Sequence, residues 1–328
     1  MAATPTNAPE GYVSLRDVFG DAIMALGARD PRILMLDADL ASSTRTMKFK
    51  ATYPDRHYNF GIAEQNMVGA AAGFAIAGYI PFVNTFASFL SRRACDQIAV
   101  SVAYPKLNVK FFGFHGGINL GEDGATQQAV EDLAIMQGIP GIRCYAPIDG
   151  NDLARVMNEV ADVDGPTYVR LSRFPSPLVT PAVASASERA AACRVLTEGK
   201  DLLVFTTSTL AAKVIEAADA LKAEGIGIRL IGITRLKPLG DEIAAEAKAF
   251  AGRSIAVVEE HSIHGGLADR LRKPTESPRT RGSPARLTRA GLRSTAVLLL
   301  LVVQGRQVRL SRTSVQVGGR CPGTGSAR

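Results

Sequence analysis

The stretch Phe60-Gly61-Ile62-Ala63-Glu64-Gln65-Asn66-Met67 joins a short extended run, residues 56–60, to an alanine- and glycine-rich segment, residues 68–79. The small and apolar residues of that segment predict a tightly packed helix. Glu64 would then lie in the first helical turn, where the helix dipole favours a carboxylate. An isolated glutamate at this position indicates only a solvated helix acid, so the rest of the chain has to decide its role.

Strand-like and helix-like patterns alternate on both sides of this stretch. Strands that alternate with helices of about 10–15 residues predict a mostly parallel sheet covered on both faces. Ligands of such sheets bind beyond the carboxyl ends of the strands. Asp39, Thr85, His115 and Arg173 all lie at or just after a predicted strand end. The predicted strands are 32–39, 80–85, 107–113, 142–145 and 167–171, and the predicted helices include 68–79, 87–103, 129–137 and 149–160.

A second α/β unit follows a stretch rich in Pro, Ser and Ala, residues 175–189, which predicts an inter-domain linker. The fold class is therefore α/β. We predict a parallel-sheet domain over residues 12–175 and a smaller α/β domain over residues 190–271. The second domain is expected to be incomplete, because its strand–helix alternation stops after about Leu271.

The formal net charge of +7 is concentrated at the end of the chain. Residues 273–328 carry +10, so residues 1–272 carry −3. The body is mildly acidic, and its charge gives no reason to expect nucleic-acid binding. We interpret residues 272–328 as a basic tail foreign to the fold, disordered or of the kind that a shifted reading frame produces. A native disordered tail that binds acidic partners is the alternative.

The cysteines are scattered, which favours a reduced cytoplasmic protein over a disulfide framework. The N-terminus shows no secretion leader, and the apolar run 296–303 is too short to span a bilayer. We therefore expect no membrane association. The cysteines are Cys95, Cys144, Cys193 and Cys321.

Several stretches together resemble the transketolase family of thiamine-diphosphate enzymes over about residues 12–270. The resemblance implies a thiamine-diphosphate-binding fold with a pyrimidine-binding domain, followed by a transketolase C-terminal-like domain. It also implies that Glu64 hydrogen-bonds the cofactor's aminopyrimidine ring and shares a proton with it, while the cofactor supplies the carbanion chemistry. The stretches are 60–67, Asn84-Thr85-Phe86-Ala87-Ser88-Phe89-Leu90-Ser91-Arg92, His115-Gly116-Gly117-Ile118-Asn119-Leu120-Gly121-Glu122-Asp123-Gly124-Ala125-Thr126 and His261-Ser262-Ile263-His264-Gly265-Gly266-Leu267.

The resemblance assigns further residues to the cofactor and the sugar. Phe89 is expected to stack on the aminopyrimidine and Phe86 to form a pocket wall, although two such phenylalanines are more often core residues. Asp39 is expected near the cofactor. His115 is implied to contact the donor sugar or its phosphate, and to have a catalytic role with Glu64. Asp123 is implied to bind a sugar hydroxyl.

A phosphate site is implied by Arg16, Ser43, His115 and Arg173, because the planar fork of arginine binds two phosphate oxygens at once. One departure from the family concerns Gln127. The family usually has a histidine there, in a Thr-His-Gln phrase that binds reacting sugar oxygens, whereas this chain has Thr126-Gln127-Gln128. Gln127 can still form hydrogen bonds with the sugar, but it cannot take up a proton near neutral pH.

The chain lacks the Gly-Asp-Gly phrase, followed by Asn, that holds Mg²⁺ and the cofactor diphosphate in this superfamily. The resemblance therefore implies a partner: an N-terminal transketolase subunit that binds most of the Mg²⁺ and diphosphate, in a heterotetramer of two pairs. Such an enzyme moves a two-carbon ketol unit between sugar phosphates. The alternatives are a 2-oxo-acid dehydrogenase E1 β-type subunit, a deoxyxylulose-phosphate-synthase-like subunit and a non-catalytic interaction subunit.

Overall fold

The computed structural model describes residues 9–275, 287–290, 300–303 and 306–309. Strands and helices alternate through most of these ranges, as the buried runs and amphipathic stretches predict. None of the helices in the described ranges combines the length and the apolar character that crossing a membrane requires.

The secondary structure has the following bounds. In chain order the strands are β1 (Tyr12–Val13), β2 (Ile33–Asp37), β3 (His57–Asn59), β4 (Ile80–Phe86), β5 (Lys110–Phe114), β6 (Arg143–Tyr145), β7 (Thr167–Leu171), β8 (Ser176–Pro177), β9 (Cys193–Thr197), β10 (Leu202–Thr206), β11 (Ile228–Ile233), β12 (Arg235–Lys237), β13 (Ser254–Val258), β14 (Leu287–Ala290), β15 (Leu300–Val303) and β16 (Arg306–Arg309). The α-helices are α1 (Leu15–Arg29), α2 (Ala41–Thr44), α3 (Met47–Thr52), α4 (Glu64–Ile76), α5 (Ala87–Arg93), α6 (Asp132–Gly138), α7 (Gly150–Asp162), α8 (Ala211–Ala223), α9 (Asp241–Ala249) and α10 (Leu267–Thr275). A π-helical segment spans Gln97–Ala103, and a 3₁₀ turn spans Gly121–Asp123.

The larger sheet consists of seven of the described strands, in the order β12-β6-β7-β5-β4-β2-β3. Neighbouring strands are parallel except for β12, which pairs antiparallel with β6. The predicted mostly parallel sheet is confirmed. Because β12 comes from the second α/β unit, this sheet also joins the two units.

The smaller sheet has the order β14-β13-β10-β11-β9 among the described strands, with β9 antiparallel at one edge. Strand β14 pairs parallel with β13, and it lies beyond the residue 271 at which we expect the second domain to end. Most of the predicted tail, residues 272–328, lies outside the described residues. The interpretation of that tail stays a prediction.

One hydrophobic cluster belongs to both units. Val83 and Phe111 of the larger sheet share it with Phe205 and Ile233 of the smaller sheet, and all four side chains are buried. At roughly 25 cal/mol per Å² of buried apolar surface, such a shared cluster stabilises the junction as well as each unit. The two units therefore pack as one body.

The predicted linker, residues 175–189, is held along α7. Strand β8 pairs antiparallel with β1. The carboxylate of Asp149 caps α7 and also accepts hydrogen bonds from the amides of Val179 and Thr180, each at 2.6 Å. The guanidinium of Arg155 donates to the carbonyl of Pro181 at 2.6 Å. These contacts fix the path of the chain between the two sheets.

The single helix predicted over residues 87–103 is wrong. Helix α5 ends at Arg93, and a π-helical segment begins at Gln97. The wider π turn changes the phase of the buried face. Ile98 and Val102 thereby join the cluster that contains Met67 of α4.

Lys110 is fully buried at the start of β5. The far end of this strand leads into a glycine-rich loop, residues 115–129, which we call the Gly-rich loop. The ammonium of Lys110 donates hydrogen bonds to the carbonyl oxygens of Val163 and, at 3.0 Å, of Gly165. Burial, reinforced by the positive charge of Arg143, lowers the pKa of Lys110 from 10.5 to about 7, with Asp164 opposing the shift. The folded chain therefore releases this proton at a lower pH than the unfolded chain does.

This difference predicts a pH-dependent stability. Between about pH 7 and pH 10 the unfolded chain binds more protons at Lys110, so the free energy of unfolding rises with pH, by on the order of 1 kcal/mol per pH unit from this group. In Lys110→Met this slope should disappear, as measured by urea unfolding at several pH values. The same substitution at the exposed Lys50 controls for the lost charge. An unchanged slope in Lys110→Met would contradict the assignment.

Candidate functional site

Glu64 is the first residue of α4, and its side chain is only 1% exposed. One carboxylate oxygen accepts a hydrogen bond from Nη1 of Arg93 at 2.7 Å. The arginine side chain is 46% exposed, so it reaches from the surface over the buried acid. A buried carboxylate is costly without such a partner. Glu64 is therefore not the solvated helix acid that its position alone would indicate.

A continuous line of contacts runs from Glu64 to the Gly-rich loop. The guanidinium of Arg93 lies 4.9 Å from the ring centroid of Phe89. Phe89 stacks on Phe86 with centroids 5.6 Å apart, and Phe86 stacks on His115 at 4.2 Å. The structure thus brings together four residues that the sequence places on β4, α5 and the loop after β5. The aromatic rings form one wall, with Glu64 at one end.

His115 directly follows β5 and has a φ of 59°, in the left-handed region. Such a conformation in a residue other than glycine stores strain and is often found at functional sites. Its ring is 2% exposed, and Nδ1 lies 3.3 Å from the carboxylate of Asp123. Nε2 has no hydrogen-bond partner among the described residues. Buried polar atoms without partners are rare. The ring is therefore available to a ligand.

The charge state of His115 follows from its surroundings. Burial, followed by the positive charges of Arg16 and Arg173, lowers the pKa of His115 to about 4. Asp123, whose carboxylate lies 3.3 Å from Nδ1, opposes this shift. At neutral pH the imidazole is uncharged, so it can donate one hydrogen bond and accept another.

Arg173 connects this loop to the end of β7. Its guanidinium donates hydrogen bonds to the carboxylate of Asp123 and to the carbonyl of Leu120. Arg16, at the start of α1, is partly buried and donates to the backbone carbonyl of Ser43 at 3.5 Å. Burial and the nearby charges of Arg45 and Arg173 lower the pKa of Arg16. Positive charges close enough to Arg16 to lower its pKa indicate a place for an anion.

Asp39 lies two residues beyond β2 with a φ of 61°. Its amide donates to the side-chain oxygen of Asn59 at 2.9 Å, and that oxygen also accepts the amide of Gly61 at 3.1 Å. Below it, the buried carboxylate of Asp37 accepts hydrogen bonds from Thr46 at 2.6 Å and lies 2.9 Å from Nε2 of His57. Asp39 is thus tied to the turn that leads to Glu64.

Gln127 does not join the line of contacts in the described part of the chain. Its side-chain oxygen accepts a hydrogen bond from the neighbouring Thr126. The surrounding loop is instead held by Arg92, which pairs with Glu131 and donates to the carbonyl of Gln128 at 2.8 Å. Within the described ranges, no group of three or more His, Cys, Asp and Glu side chains is arranged to hold a metal ion.

The sequence reasoning did not identify the roles of Arg92, Arg93, Arg170 and Glu260. The Arg-Arg pair directly follows the aromatic segment, which gave a weak signal. Arg170 gave none, because it lies within a strand that predicts only core. Its side chain is 1% exposed, and its Nε lies 3.3 Å from the carboxylate of Asp132.

Comparison with known proteins places both units in one family. Residues 12–175 match the model of the transketolase pyrimidine-binding domain. Residues 191–295 match the model of the transketolase C-terminal domain. The second match extends beyond the predicted domain end at residue 271, into the range that contains β14.

Two relatives and one solved structure illustrate the similarity. A Methanocaldococcus jannaschii protein with the provisional name transketolase C-terminal section is 38% identical, over 78% of this chain and 80% of its own. A 6-deoxy-6-sulfo-D-fructose transketolase subunit of Clostridium sp. is 37% identical, over 77% and 78%. A structure described as a split-gene transketolase in an inactive β4 tetramer has a TM-score of 0.75 and 36% identity, covering 90% of this chain and 92% of that one.

The low pKa of His115 leads to a prediction. In Arg16→Gln one positive neighbour of the ring is removed, so protonation costs less and the pKa of His115 should rise above about 4. The titration can be followed by NMR of the ring protons, because the chain has only four histidines. Arg32→Gln, which removes an exposed arginine paired with Asp30, is the control. If the pKa of His115 is the same in Arg16→Gln as in the wild type, Arg16 does not act on this ring.

Proposed function

The chain belongs to the transketolase family, and we propose that it is the C-terminal subunit of a thiamine-diphosphate-dependent transketolase that transfers a two-carbon ketol unit between sugar phosphates. The observation that carries the proposal is the line of contacts from Glu64 through the aromatic wall to His115 and Arg173. At one end it offers a buried carboxylate at a helix start. At the other end it offers a neutral imidazole between two cations. The first suits an aminopyrimidine ring, and the second suits the oxygens of an anionic sugar.

The residues near Glu64 fit the pyrimidine end of thiamine diphosphate. That cofactor, when bound, supplies the carbanion chemistry of ketol transfer. Glu64 would hold a proton at its carboxylate, against a ring nitrogen of the aminopyrimidine. Phe89 and Phe86 would bind the ring through stacking, which contributes roughly 0.5–1.5 kcal/mol beyond burial. Asp39 would lie near the same group, on the turn that Asn59 fixes.

The residues near His115 suit a phosphorylated sugar. Arg16 and Arg173 would bind the phosphate, with Ser43 beside Arg16. His115 would use one ring nitrogen as a donor and the other as an acceptor toward sugar or phosphate oxygens. Asp123 would accept a hydrogen bond from a sugar hydroxyl, and its contact with Arg173 positions it for that. Gln127 would bind sugar oxygens without taking up a proton.

The remaining groups are assigned to a partner. We propose an N-terminal transketolase subunit that binds the diphosphate and Mg²⁺, in a heterotetramer of two pairs, acting in pentose phosphate metabolism in the cytoplasm. The chain would be active only with this partner. The names of the relatives support the division, because one is a C-terminal section, one is a subunit and one is a split-gene transketolase.

The relative that carries the name of a sulfosugar enzyme supports a second substrate. A sulfonate is anionic like a phosphate, so Arg16 and Arg173 could bind either group. The expectations of a 2-oxo-acid dehydrogenase E1 β-type or a deoxyxylulose-phosphate-synthase-like subunit are less favoured. The relatives described above are transketolases at 36–38% identity, whereas a 1-deoxy-D-xylulose-5-phosphate synthase is a more distant match at 32%. If the chain is instead a non-catalytic interaction subunit, the complex with its N-terminal partner should show no ketol transfer.

Glu64→Gln is the direct test. The amide can still accept the hydrogen bond of Arg93, so the fold should persist, but it cannot hold the proton, and kcat of the reconstituted pair should fall by about 10²–10⁴-fold. Glu242→Gln makes the same change in the first turn of α9, at an exposed position, and should leave kcat unchanged. More than a third of wild-type kcat in Glu64→Gln would refute its role. A wild-type pair without turnover would refute the function.

Arg173→Ala tests the phosphate site. Loss of a charge-assisted hydrogen bond costs roughly 1.5–3 kcal/mol, so KM should rise by about 10–100-fold for phosphorylated sugars and change little for unphosphorylated glycolaldehyde. A 6-sulfo sugar tested in parallel shows which anion is preferred. Arg189→Ala removes an arginine that pairs with Asp162, away from the site. An equal rise in KM for charged and uncharged substrates would mean that Arg173 acts only by holding the loop.

A further inference from the structure

Glu260 lies two residues beyond β13, in the second α/β unit, and its side chain reaches into the Gly-rich loop of the first unit. One carboxylate oxygen accepts hydrogen bonds from the backbone amides of Ile118 and Asn119, both at 2.9 Å. Hydrogen bonds to an ionised acceptor are about twice as strong as neutral ones. The loop that carries His115 and Asp123 is therefore held by a residue of the other unit.

The glycines of the loop explain how closely it is held. A Cβ atom on Gly117 would overlap the carboxyl group of Glu260, and one on Gly116 would overlap the side chain of Arg170. Gly117 also has a φ of 93°, which glycine adopts readily. Its amide donates to the carbonyl of Ala129 at 2.8 Å. The two glycines allow the loop to lie directly on the two charged side chains.

Arg170 completes the arrangement from the central sheet. Its Nη2 donates to the backbone carbonyls of Ala129 at 3.0 Å and Glu260 at 2.8 Å. It therefore touches the loop and the end of β13 at once. Burying the Glu260 carboxylate carries a desolvation cost, which raises its pKa, and this guanidinium and the two loop amides offset part of that cost. A merely structural side chain at that position could be apolar and avoid the cost.

Glu259 and His261, the neighbours of Glu260, form hydrogen bonds with other parts of the chain. The carboxylate of Glu259 accepts hydrogen bonds from the amides of Leu267 at 2.6 Å and Ala268 at 3.2 Å, and so caps α10. The Nε2 atom of His261 accepts a hydrogen bond from the amide of Ala134 in α6, at 3.2 Å. Within the segment 259–261, therefore, Glu260 alone bonds the amides of the Gly-rich loop through its side chain, as far as the described residues show.

We propose that Glu260 is a positioning residue that fixes the Gly-rich loop, so that the second α/β unit sets the geometry of the sugar site without touching the sugar. The holding of the loop stands on the contacts alone, and only its consequence for substrate rests on the proposed function. Loss of Glu260 releases two amides, lets the 3₁₀ turn at Gly121–Asp123 move, and separates Asp123 from His115.

Hydrogen–deuterium exchange of the full chain tests the proposal without any activity. In Glu260→Ala, peptides covering residues 116–123 should exchange about 10–100-fold faster than in the wild type, since roughly 1.5–3 kcal/mol of charge-assisted bonding is lost. Glu260→Gln keeps an acceptor but not the charge, so it should show a smaller rise. Glu259→Ala is the matched control, because it should speed exchange in α10 and leave residues 116–123 unchanged.

The outcomes separate the two proposals. If Glu260→Ala does not fold, Glu260→Gln is the test. Its exchange rate should rise less, and only in residues 116–123. Unchanged loop exchange in the variants that fold, or an equal rise in Glu259→Ala, overturns the positioning role. In the reconstituted pair, Glu260→Ala should raise KM for the donor sugar more than it lowers kcat. A wild-type pair without turnover would refute the proposed function and leave the exchange result intact.

Discussion

The buried guanidinium of Arg170 is the constraint on which the rest of the site depends. A charge that is 1% exposed needs compensation from nearby acids and carbonyls. The groups that supply it come from three parts of the chain: Asp132 at the start of α6, Ala129 at the end of the Gly-rich loop, and Glu260 after β13. The loop and the second unit are therefore placed by the same side chain.

This constraint gives the loop its composition. Gly116 and Gly117 are needed because Arg170 and Glu260 occupy the space that their side chains would take. Once these two positions are fixed, the chain enters them from His115 in a left-handed conformation. The strain at His115 is offset by the hydrogen bonds that hold the residues after it. The two glycines are thus required by two buried charged side chains, and the strained histidine lies directly before them.

Much of the fold could be predicted from local pattern. Buried runs such as Ile33–Asp37 and Thr167–Leu171 identify parallel strands, and the position of Glu64 before an apolar segment identifies the start of α4. The break of helix 87–103 was missed because apolar residues continue through it, and the period alone does not distinguish an α turn from a π turn. Strand β12 was missed because it follows β11 after a single residue and pairs with β6, a strand of the other unit.

The candidate site was predictable only in part, for a related reason. His115 and Arg173 follow strand ends, which the sequence shows, and Asp123 was predicted only from the family resemblance of its loop. The sequence does not show the contacts that hold these residues. Glu260 lies 142 and 141 residues away from the two amides whose hydrogen bonds it accepts. Arg93 and Glu64 are also apart in sequence, on different helices. Side-chain pairing across elements depends on how the elements pack, and one sequence without relatives contains no direct record of that.

The electrostatics of the site depend on these distant contacts. Burial is the largest cause of the low pKa of His115, and the charges of Arg16 and Arg173 come second. The ring is buried, with Phe86 stacked on it and Asp123 of the Gly-rich loop 3.3 Å from Nδ1. The loop stays closed because Glu260 holds two of its amides. A residue of the second unit therefore keeps an imidazole neutral between two cations, and a neutral imidazole can donate one hydrogen bond and accept another at the place where an anionic sugar would bind.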